Sequence, residues 1–521
     1  MFSSLVHATR LVRVGYVLTR EGVFGLVDPV ALSPSARMGI RFLRLFERRG
    51  AGGARLASAF TRLGPTYVKL GQFLATRPDL VGIRNARELE SLQDRMPSFP
   101  SEIARASIVA NLGKPIPDLF LDLGEPVAAA SVAQVHKARC AGRAEGKVVA
   151  VKVLRPGVRM RFARDVGAML FSARMAERYL PDARRLRPVD SIGGFARSVE
   201  LETDLRLEAA ALSELRENSA GDPDFRVPFV DWERTGREVL TTEWIDGIPV
   251  ANHAALDAAG HDRVALARTA MQSFLRHALR DGFFHADMHQ GNLFVDPDGK
   301  LVAVDCGIMG RLGFKERRFL AEILYGFITR DYRRVSEVHF EAGYVPAHHS
   351  IDEFAQAIRA VGEPIHDRPA REISMANLLT LLFEITALFD MQTRTELVLL
   401  QKTMIVVEGV SRGLDPDFDM WATAEPVIRE WIERNLGPVG KLQDMGAGTR
   451  EMLHHAARLP DMIERAGRVL ARLEEASKTG FHLAPESVAD IGRAEGRGNR
   501  WSSLALWAIV ALIVYQMVIA G

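Results

Sequence analysis

Short apolar runs separated by polar turns mark the middle of the chain. One run spans residues 147–154 with Lys152 inside it, and others at 283–284, 293–295 and 302–304 flank a polar loop. Runs of this length between polar turns are typical of buried β-strands. Mostly helical segments precede and follow them, over residues 1–100 and 260–435, so the pattern predicts an α+β fold.

The polar loop carries side chains at the spacing of a phosphoryl-transfer catalytic loop. Asp287 stands five residues before Asn292, and Asp305 ends the following apolar strand. In such loops the first aspartate orients the nucleophile, while the asparagine and the second aspartate bind Mg²⁺. Hard cations prefer these oxygen ligands and bridge the phosphoryl oxygens. We expect His285 to brace the loop against Asp305 or its backbone.

Two other interpretations of this loop stay open. Aspartate and glycine are common in solvated turns, so the segment fits an ordinary connection between strands. His285, Asp287 and His289 also fit the facial triad of a non-haem iron oxygenase. The oxygenase interpretation leaves Asn292 and Asp305 without a role.

The strand at 147–154 resembles the Val-Ala-x-Lys strand of kinases, whose lysine holds the α- and β-phosphates of ATP. A buried lysine needs an anionic partner to keep its charge. The segment 202–210 reads as one helix and offers three carboxylates. The candidates are Glu202, Asp204 and Glu208. Glu202 and Glu208 are six residues apart and lie on different faces of a helix, so at most one of them pairs with Lys152 directly.

An alanine-rich stretch, residues 126–136, occupies the place of the Gly-rich loop that covers the phosphates in kinases. Alanine methyl groups disfavour positive φ and restrict the approach of backbone N–H groups to phosphate. Taken alone, the Ala-Ala-Ala-Ser run also fits an ordinary helix segment. The polar turn at 241–247, after another predicted strand, is where a hinge would hydrogen-bond adenine through its backbone.

With the segment Lys69-Leu70-Gly71-Gln72, these motifs resemble the UbiB family of atypical kinases, also called aarF-domain kinases. The likeness covers about residues 55–420 and includes the Glu202-x-Asp204 pair. It implies a two-lobed protein-kinase-like fold that binds ATP and Mg²⁺ and acts in ubiquinone biosynthesis. In that family the Lys-x-Gly-Gln segment lies over the active site and blocks protein substrates. The resemblance therefore favours ATPase or small-molecule activity.

The candidate site residues follow from these motifs. Catalytic roles fall to Lys152, Asp287 and Asn292, and metal binding to Asn292 and Asp305. Regulatory roles fall to Lys69, Gln72, Glu202, Asp204 and Glu208. The predicted nucleotide contacts are Ala128, Ala129, Ala130, Ser131, Val132, Ala133, Gln134, Val135, His136, Lys152, Glu243 and Ile245. Cys306 stands where kinases usually carry Phe, so no Phe-driven switch of the metal-binding strand is expected.

Composition narrows the class of protein. With 521 residues, 47% hydrophobic and 25% charged, the chain is long enough for a two-lobed domain with additions at each end. A net charge of +2 gives no indication of a nucleic-acid partner. The two cysteines, Cys140 and Cys306, suggest neither a disulfide framework nor a Cys-based zinc site, which favours a reducing compartment.

The C-terminal region predicts membrane attachment. Residues 504–520 form an apolar run near the lower length limit for a membrane-spanning helix. Arg493, Arg497 and Arg500 precede it, which places the catalytic domain in the cytoplasm and the chain in the cell inner membrane. A buried core helix is the alternative. An Arg-rich amphipathic segment at 458–473 suits anionic lipid or packing on the kinase-like domain equally. The N-terminus shows no secretory signal.

The predicted organisation is a helical extension (1–100), a small lobe (101–243), a large lobe (244–435), amphipathic juxtamembrane helices (436–500) and a transmembrane helix (501–521). The preferred function is a membrane-anchored ATPase or atypical kinase that supports ubiquinone synthesis, with membrane lipid and ubiquinone precursors or enzymes as partners. A phosphotransferase of the aminoglycoside or choline kinase type is the first alternative. A non-catalytic scaffold that binds lipid and nucleotide is the second.

Overall fold

The computed structural model describes residues 2–26, 45–47, 55–75, 81–90, 96–179, 187–366 and 395–436, with positions 92, 381, 384, 385 and 388–391 between them. The predicted juxtamembrane and transmembrane segments lie outside these residues. No helix among them combines the length and apolar composition needed to cross a bilayer. Apart from residues 2–16 and 432–436, which belong to a second unit, the architecture below is that of the compact unit formed by residues 17–431.

The N-terminal region is helical, as the sequence predicts. Its helices are α1 (Phe2–Arg20), α2 (Arg55–Leu63), α3 (Pro65–Ala75) and α4 (Ile83–Glu90). Gly71 lies where α3 meets its neighbours: a Cβ there would stand 2.7 Å from Phe60 of α2 and 2.2 Å from Leu92. The glycine of the Lys-x-Gly-Gln segment is therefore needed for close helix packing.

An antiparallel sheet forms the centre of the small lobe. Its strands lie in the order β1 (Phe120–Ala129), β2 (Ala133–Cys140), β3 (Val148–Leu154) and β5 (Val239–Glu243). In β3, Val149, Val151 and Val153 are buried, and Lys152, at an intervening position, points to the other face. The helices α5 (Ser101–Leu112) and α6 (Ile116–Leu119) precede the sheet, and Ile108 belongs to the same core.

Three helices separate β3 from the rest of the lobe: α7 (Val158–Tyr179), α8 (Pro188–Glu202) and α9 (Leu205–Asn218). The single helix predicted over 202–210 is wrong, because α8 ends at Glu202 and α9 begins at Leu205. The Thr203 hydroxyl donates to the Val199 carbonyl at 2.9 Å, and the Asp204 carboxylate caps α9 by accepting from the Arg206 N–H at 3.3 Å. Side chains that cap helix ends favour such a break.

The large lobe combines short strands with helices. A four-stranded sheet has the order β4 (Phe225–Arg226), β9 (Leu301–Ala303), β8 (Leu293–Val295) and β6 (Ile248–Pro249), and β7 (Phe283–His285) pairs with β10 (Met309–Arg311). The helices are α10 (His253–Ala258), α11 (Arg263–Arg276), α12 (Phe314–Ile328), α13 (Tyr332–Glu341), α14 (Ile351–His366), α15 (Thr395–Leu414) and α16 (Met420–Leu436). The mixed helix and sheet of both lobes confirm the predicted α+β class.

Candidate active site

Lys152 lies between two carboxylates at the junction of the lobes. Its Nζ is 2.9 and 3.0 Å from the two oxygens of Glu208 in α9 and 2.9 Å from Oδ1 of Asp305. Of the three carboxylates offered by the sequence, Glu208 is the one that pairs with Lys152. Glu202 instead pairs with Lys69, and Asp204 binds Arg206 and caps its helix.

The single ammonium group of Lys152 faces two carboxylates, those of Glu208 and Asp305. Burial raises the pKa of Glu208 to about 7, against the opposing effect of Lys152. Burial would also raise the pKa of Asp305, but the Lys152 charge outweighs it and holds that pKa below its usual range. Burial acts to lower the pKa of Lys152, yet Asp305 and Glu208 together raise it. Asp305 therefore stays ionised beside Lys152, while Glu208 is partly protonated at neutral pH.

Asp305 has an unusual backbone and remains reachable from the cleft. Its φ is +58°, in the left-handed region that few residues other than glycine adopt. The side chain is 49% exposed, whereas its neighbour Cys306 is buried. Aspartate tolerates this conformation better than most residues, so the turn presents a carboxylate where a metal ligand is predicted. Both cysteines are free and buried, as the sequence indicates.

His285 braces the loop that carries Asp287, but through the Val304 carbonyl and not through Asp305, the expected partner. Its Nδ1 accepts from the backbone N–H of Asp287 at 3.0 Å, and its Nε2 lies 3.1 Å from the Val304 carbonyl, to which it donates in the matching neutral tautomer. Burial lowers the pKa of the ring, which keeps it neutral. Since both nitrogens bond to protein, His285 has no atom left for the iron of a facial triad.

Asn292 is held in the same loop. The side-chain N–H of Asn292 donates to the backbone carbonyl of Asp287 at 3.1 Å. The backbone carbonyl of Asn292 accepts from the Val304 N–H at 2.9 Å. With the amide nitrogen committed to the loop, the side-chain oxygen is the atom suited to a cation. The Asp287 side chain is 32% exposed and its Oδ2 lies 3.6 Å from His289 Nε2. The loop thus combines a rigid backbone with an accessible carboxylate.

The alanine-rich stretch forms no helix: it comprises the end of β1, the turn at 130–132 and the start of β2. Ala130 N–H donates to the Ala133 carbonyl at 2.8 Å, and none of residues 128–133 has a positive φ. Their backbone conformation therefore does not require glycine. The turn lies between the first two strands of the sheet and precedes the strand that holds Lys152; its contact with phosphate stays a prediction.

Contacts that sequence reasoning missed hold this turn in place. Arg155, just after β3, donates from Nε to the Ala130 carbonyl at 2.9 Å and from Nη2 to the Pro97 carbonyl at 2.7 Å. Met96 N–H donates to the Ala129 carbonyl at 3.3 Å. Residues 96–100 lack any helical or alternating pattern, so no sequence signal marked them as neighbours of the turn.

The side chains of Gln134 and His136 are fully buried and bond to protein. Gln134 bonds to both backbone groups of Phe99, at 2.9 and 3.2 Å, and its amide lies 2.9 Å from His136 Nε2. His136 Nδ1 bonds to the Gly124 carbonyl at 2.8 Å. Contact of these two residues with nucleotide stays a prediction, and it would use their backbone.

Loosening the turn should change nucleotide binding. In Ala130→Gly the backbone gains freedom, at a cost of up to about 1 kcal/mol in conformational entropy, and approaches phosphate more closely. We expect ATP affinity to change by about 3-fold or more, or autophosphorylation to appear, when radiolabelled ATP is used. Ala251→Gly, in an exposed turn, is the matched control. Identical affinity and labelling in both variants would show that the alanines are incidental.

The predicted hinge lies at the end of β5. The Glu243 carboxylate pairs with Arg226 at 3.0 Å, and Arg226 also binds Asp296 at 2.7 Å. Trp244 N–H donates to the Val148 carbonyl at 3.3 Å and extends the pairing with β3. Because the Glu243 side chain is engaged, adenine binding by Glu243 and Ile245 would run through their backbone. That role stays a prediction.

The Lys-x-Gly-Gln segment reaches the same site. Lys69 in α3 pairs with Glu202 at the end of α8, and Phe73 packs on Phe195 with ring centroids 5.7 Å apart. The Lys69 charge also helps to lower the pKa of Asp305. Gln72 is half-buried. Helix α3 is therefore fixed to the small lobe, and the charge of its lysine acts on Asp305.

Comparison with known proteins agrees with this geometry. Residues 91–339 match the ABC1 atypical kinase-like domain and residues 358–419 match the UbiB helical domain. Two relatives carry the name "Probable protein kinase UbiB". The one from Marinobacter nauticus is 42% identical over 80% of this chain and 76% of its own length. The one from Pseudomonas fluorescens is 40% identical over 88% of both chains.

One solved structure, the complex of Rv3197 with erythromycin from Mycobacterium tuberculosis, matches with a TM-score of 0.49 and 23% identity. The match covers 69% of this chain and 90% of that one.

Proposed function

The chain belongs to the UbiB family of ABC1-type atypical kinases, and we propose that it binds Mg·ATP between its lobes and cleaves the γ-phosphoryl group in support of ubiquinone biosynthesis. The observation that carries the proposal is the position of Lys152, within 3.0 Å of both Glu208 and Asp305. A structural ion pair needs one carboxylate. The second, half exposed in the cleft, is suited to a cation.

The donor set fits Mg²⁺ and ATP. Asp305 and the side-chain oxygen of Asn292 supply hard oxygen ligands, and Lys152 supplies a positive charge for phosphate oxygens. Mg²⁺ held by these residues would supply positive charge to offset that of the phosphate groups. Lys152 remains charged because its pKa is raised, and Glu208 keeps it in place from the opposite side.

Asp287 is the residue proposed to act on the nucleophile. Its backbone is fixed by His285 and Asn292, and its carboxylate is accessible. It would accept the proton of an incoming water or hydroxyl group and orient the oxygen for attack. A rigid loop limits the positions of this carboxylate, which favours a single productive geometry.

The position of helix α3 favours transfer of the phosphoryl group to water or to a small molecule rather than to a protein. Its Lys69 is paired with Glu202 and acts on Asp305, so the Lys-x-Gly-Gln segment stands beside the catalytic groups. A polyprenylated phenol or an enzyme that handles one is the proposed partner. Such a compound stays in the bilayer, which fits the apolar run at 504–520 and a catalytic domain at the inner face of the cell membrane.

ATP hydrolysis by a chain shortened before the apolar run tests the proposal. We expect hydrolysis that requires Mg²⁺ and rises when a phenolic quinone precursor and anionic liposomes are added together. Asp287→Asn should lower turnover by roughly 10²- to 10⁴-fold while the Mg·ATP-induced thermal shift persists. Asp298→Asn, in an exposed turn of the same lobe, should match the unchanged chain. Full turnover in Asp287→Asn would refute the assigned role.

A further inference from the structure

Two adjacent histidines meet a distant aspartate outside the catalytic loop. His348 and His349 lie in the connection between α13 and α14, and Asp390 lies in the turn at 388–391 before α15. The Nε2 atoms of His348 and His349 are 3.8 and 3.3 Å from the same carboxylate oxygen of Asp390. The ligand atoms of all three residues lie within 4.8 Å of one another.

Two nitrogen–oxygen distances in this group are close to those of a metal site. Ligand atoms bonded to zinc at about 2.0–2.1 Å in a tetrahedral arrangement stand roughly 3.3 Å apart. The distance from His349 Nε2 to the Asp390 oxygen has this length, and the distance from His348 Nε2 exceeds it by a few tenths of an ångström. One carboxylate oxygen thus faces both imidazole rings.

Packing against neighbouring aromatic rings fixes the position of His349. His349 is 19% exposed, and its ring contacts Phe389 at 5.3 Å in an edge-on arrangement; Phe389 in turn packs on buried Phe354 at 5.0 Å. His348 is 66% exposed. Its ring therefore has room to rotate and bring Nε2 closer to the Asp390 oxygen. Asp390 presents its carboxylate from a left-handed backbone with φ +48°.

The rings of His348 and His349 lie side by side, with centroids 4.1 Å apart. Both imidazole groups therefore lie close to the Asp390 carboxylate. The aspartate would balance part of the charge of a bound metal ion.

We propose that His348, His349 and Asp390 bind a divalent transition-metal ion of the zinc class. Two imidazole nitrogens and one carboxylate suit such an ion better than Mg²⁺, which takes oxygen ligands. Three protein ligands leave a fourth position for water or a further ligand. The ion would tie the α13–α14 connection to the turn before α15 and stabilise the helical part of the large lobe.

Zinc binding to the full-length chain tests the proposal. The protein is purified in detergent without a histidine tag, treated with a chelator and titrated with ZnCl₂ alone by calorimetry. We expect one Zn²⁺ per chain at this site, a rise in melting temperature with Zn²⁺, and binding at least about 10-fold weaker in His348→Ala and Asp390→Asn. Both changed side chains are exposed, so the fold should survive.

Matched variants separate this site from others. His253→Ala removes a half-buried histidine at the start of α10 and should leave Zn²⁺ affinity unchanged. Substitution with Co²⁺ should give the absorption of a four-coordinate ion, lost in His348→Ala. Equal Zn²⁺ affinity in all variants, or no Zn²⁺-dependent melting shift, would show that the three residues form an ion pair only.

Discussion

Asp305→Asn is expected to abolish the Mg²⁺-dependent part of nucleotide stabilisation while the protein stays folded. The substitution removes a carboxylate that approaches Lys152 at 2.9 Å and replaces it with a neutral side chain of similar size. Lys152 keeps both contacts with Glu208, so no buried charge is left without a partner. A thermal melt with ATP, in Mg²⁺ or in EDTA, measures the effect.

The size of the expected loss follows from mass action. A ligand at about 100 times its Kd stabilises the folded state by roughly 2.7 kcal/mol, which corresponds to a shift of several degrees for a domain of this size. The unchanged chain and Asp298→Asn should show this shift with Mg·ATP. A shift of equal size in Asp305→Asn would mean that the metal is held by other residues.

Local patterns predicted the strand and the loop that carry the candidate site residues. A strand with one internal lysine and a loop with aspartate five residues before asparagine depend on short-range periodicity, and the structure contains both elements at those positions. The bracing of the loop by His285 was also predictable, because a histidine two residues before the aspartate is within reach of the backbone.

The partner of Lys152 was not predictable from spacing alone. A continuous helix over 202–210 would have presented Glu202 and Glu208 on different faces without favouring either. The break at Thr203 and Asp204 determines which glutamate pairs with Lys152, because it places Glu202 and Glu208 in different helices. Glu208 then faces β3 and Glu202 faces α3. Helix boundaries depend on a few side-chain hydrogen bonds that periodicity does not reveal.

Contacts between residues far apart in the chain were also not predictable from the sequence. Thr403 in α15 donates to the Ala286 carbonyl at 3.0 Å and fixes the start of the catalytic loop. Arg155 fixes the alanine-rich turn in a comparable way. Both side chains bond to backbone carbonyls, which carry no residue-specific signal, so neither partner can be recognised in the sequence. The predictions for residues 437–521 lie outside the described part of the chain.

Membrane attachment is expected to depend on the apolar run at 504–520. It contains seventeen residues without a charged side chain and follows three arginines, a pattern typical of a helix that spans the bilayer and keeps its basic flank in the cytoplasm. A chain that ends at residue 498 retains the Arg-rich segment at 458–473 but loses the run. Its remaining contacts with anionic lipid would be electrostatic and therefore screened by salt.

We expect a high-salt wash to release the shortened chain from membranes almost completely and to leave the full-length chain bound. Sedimentation of washed membranes followed by immunoblotting measures both fractions. A chain of full length in which Leu512 and Ile513 are replaced by Lys is the matched control, because it keeps the length and breaks the apolar run, and it should behave like the shortened form. If all three chains fractionate alike, residues 504–520 do not anchor the protein, and the run is better explained as a buried core helix.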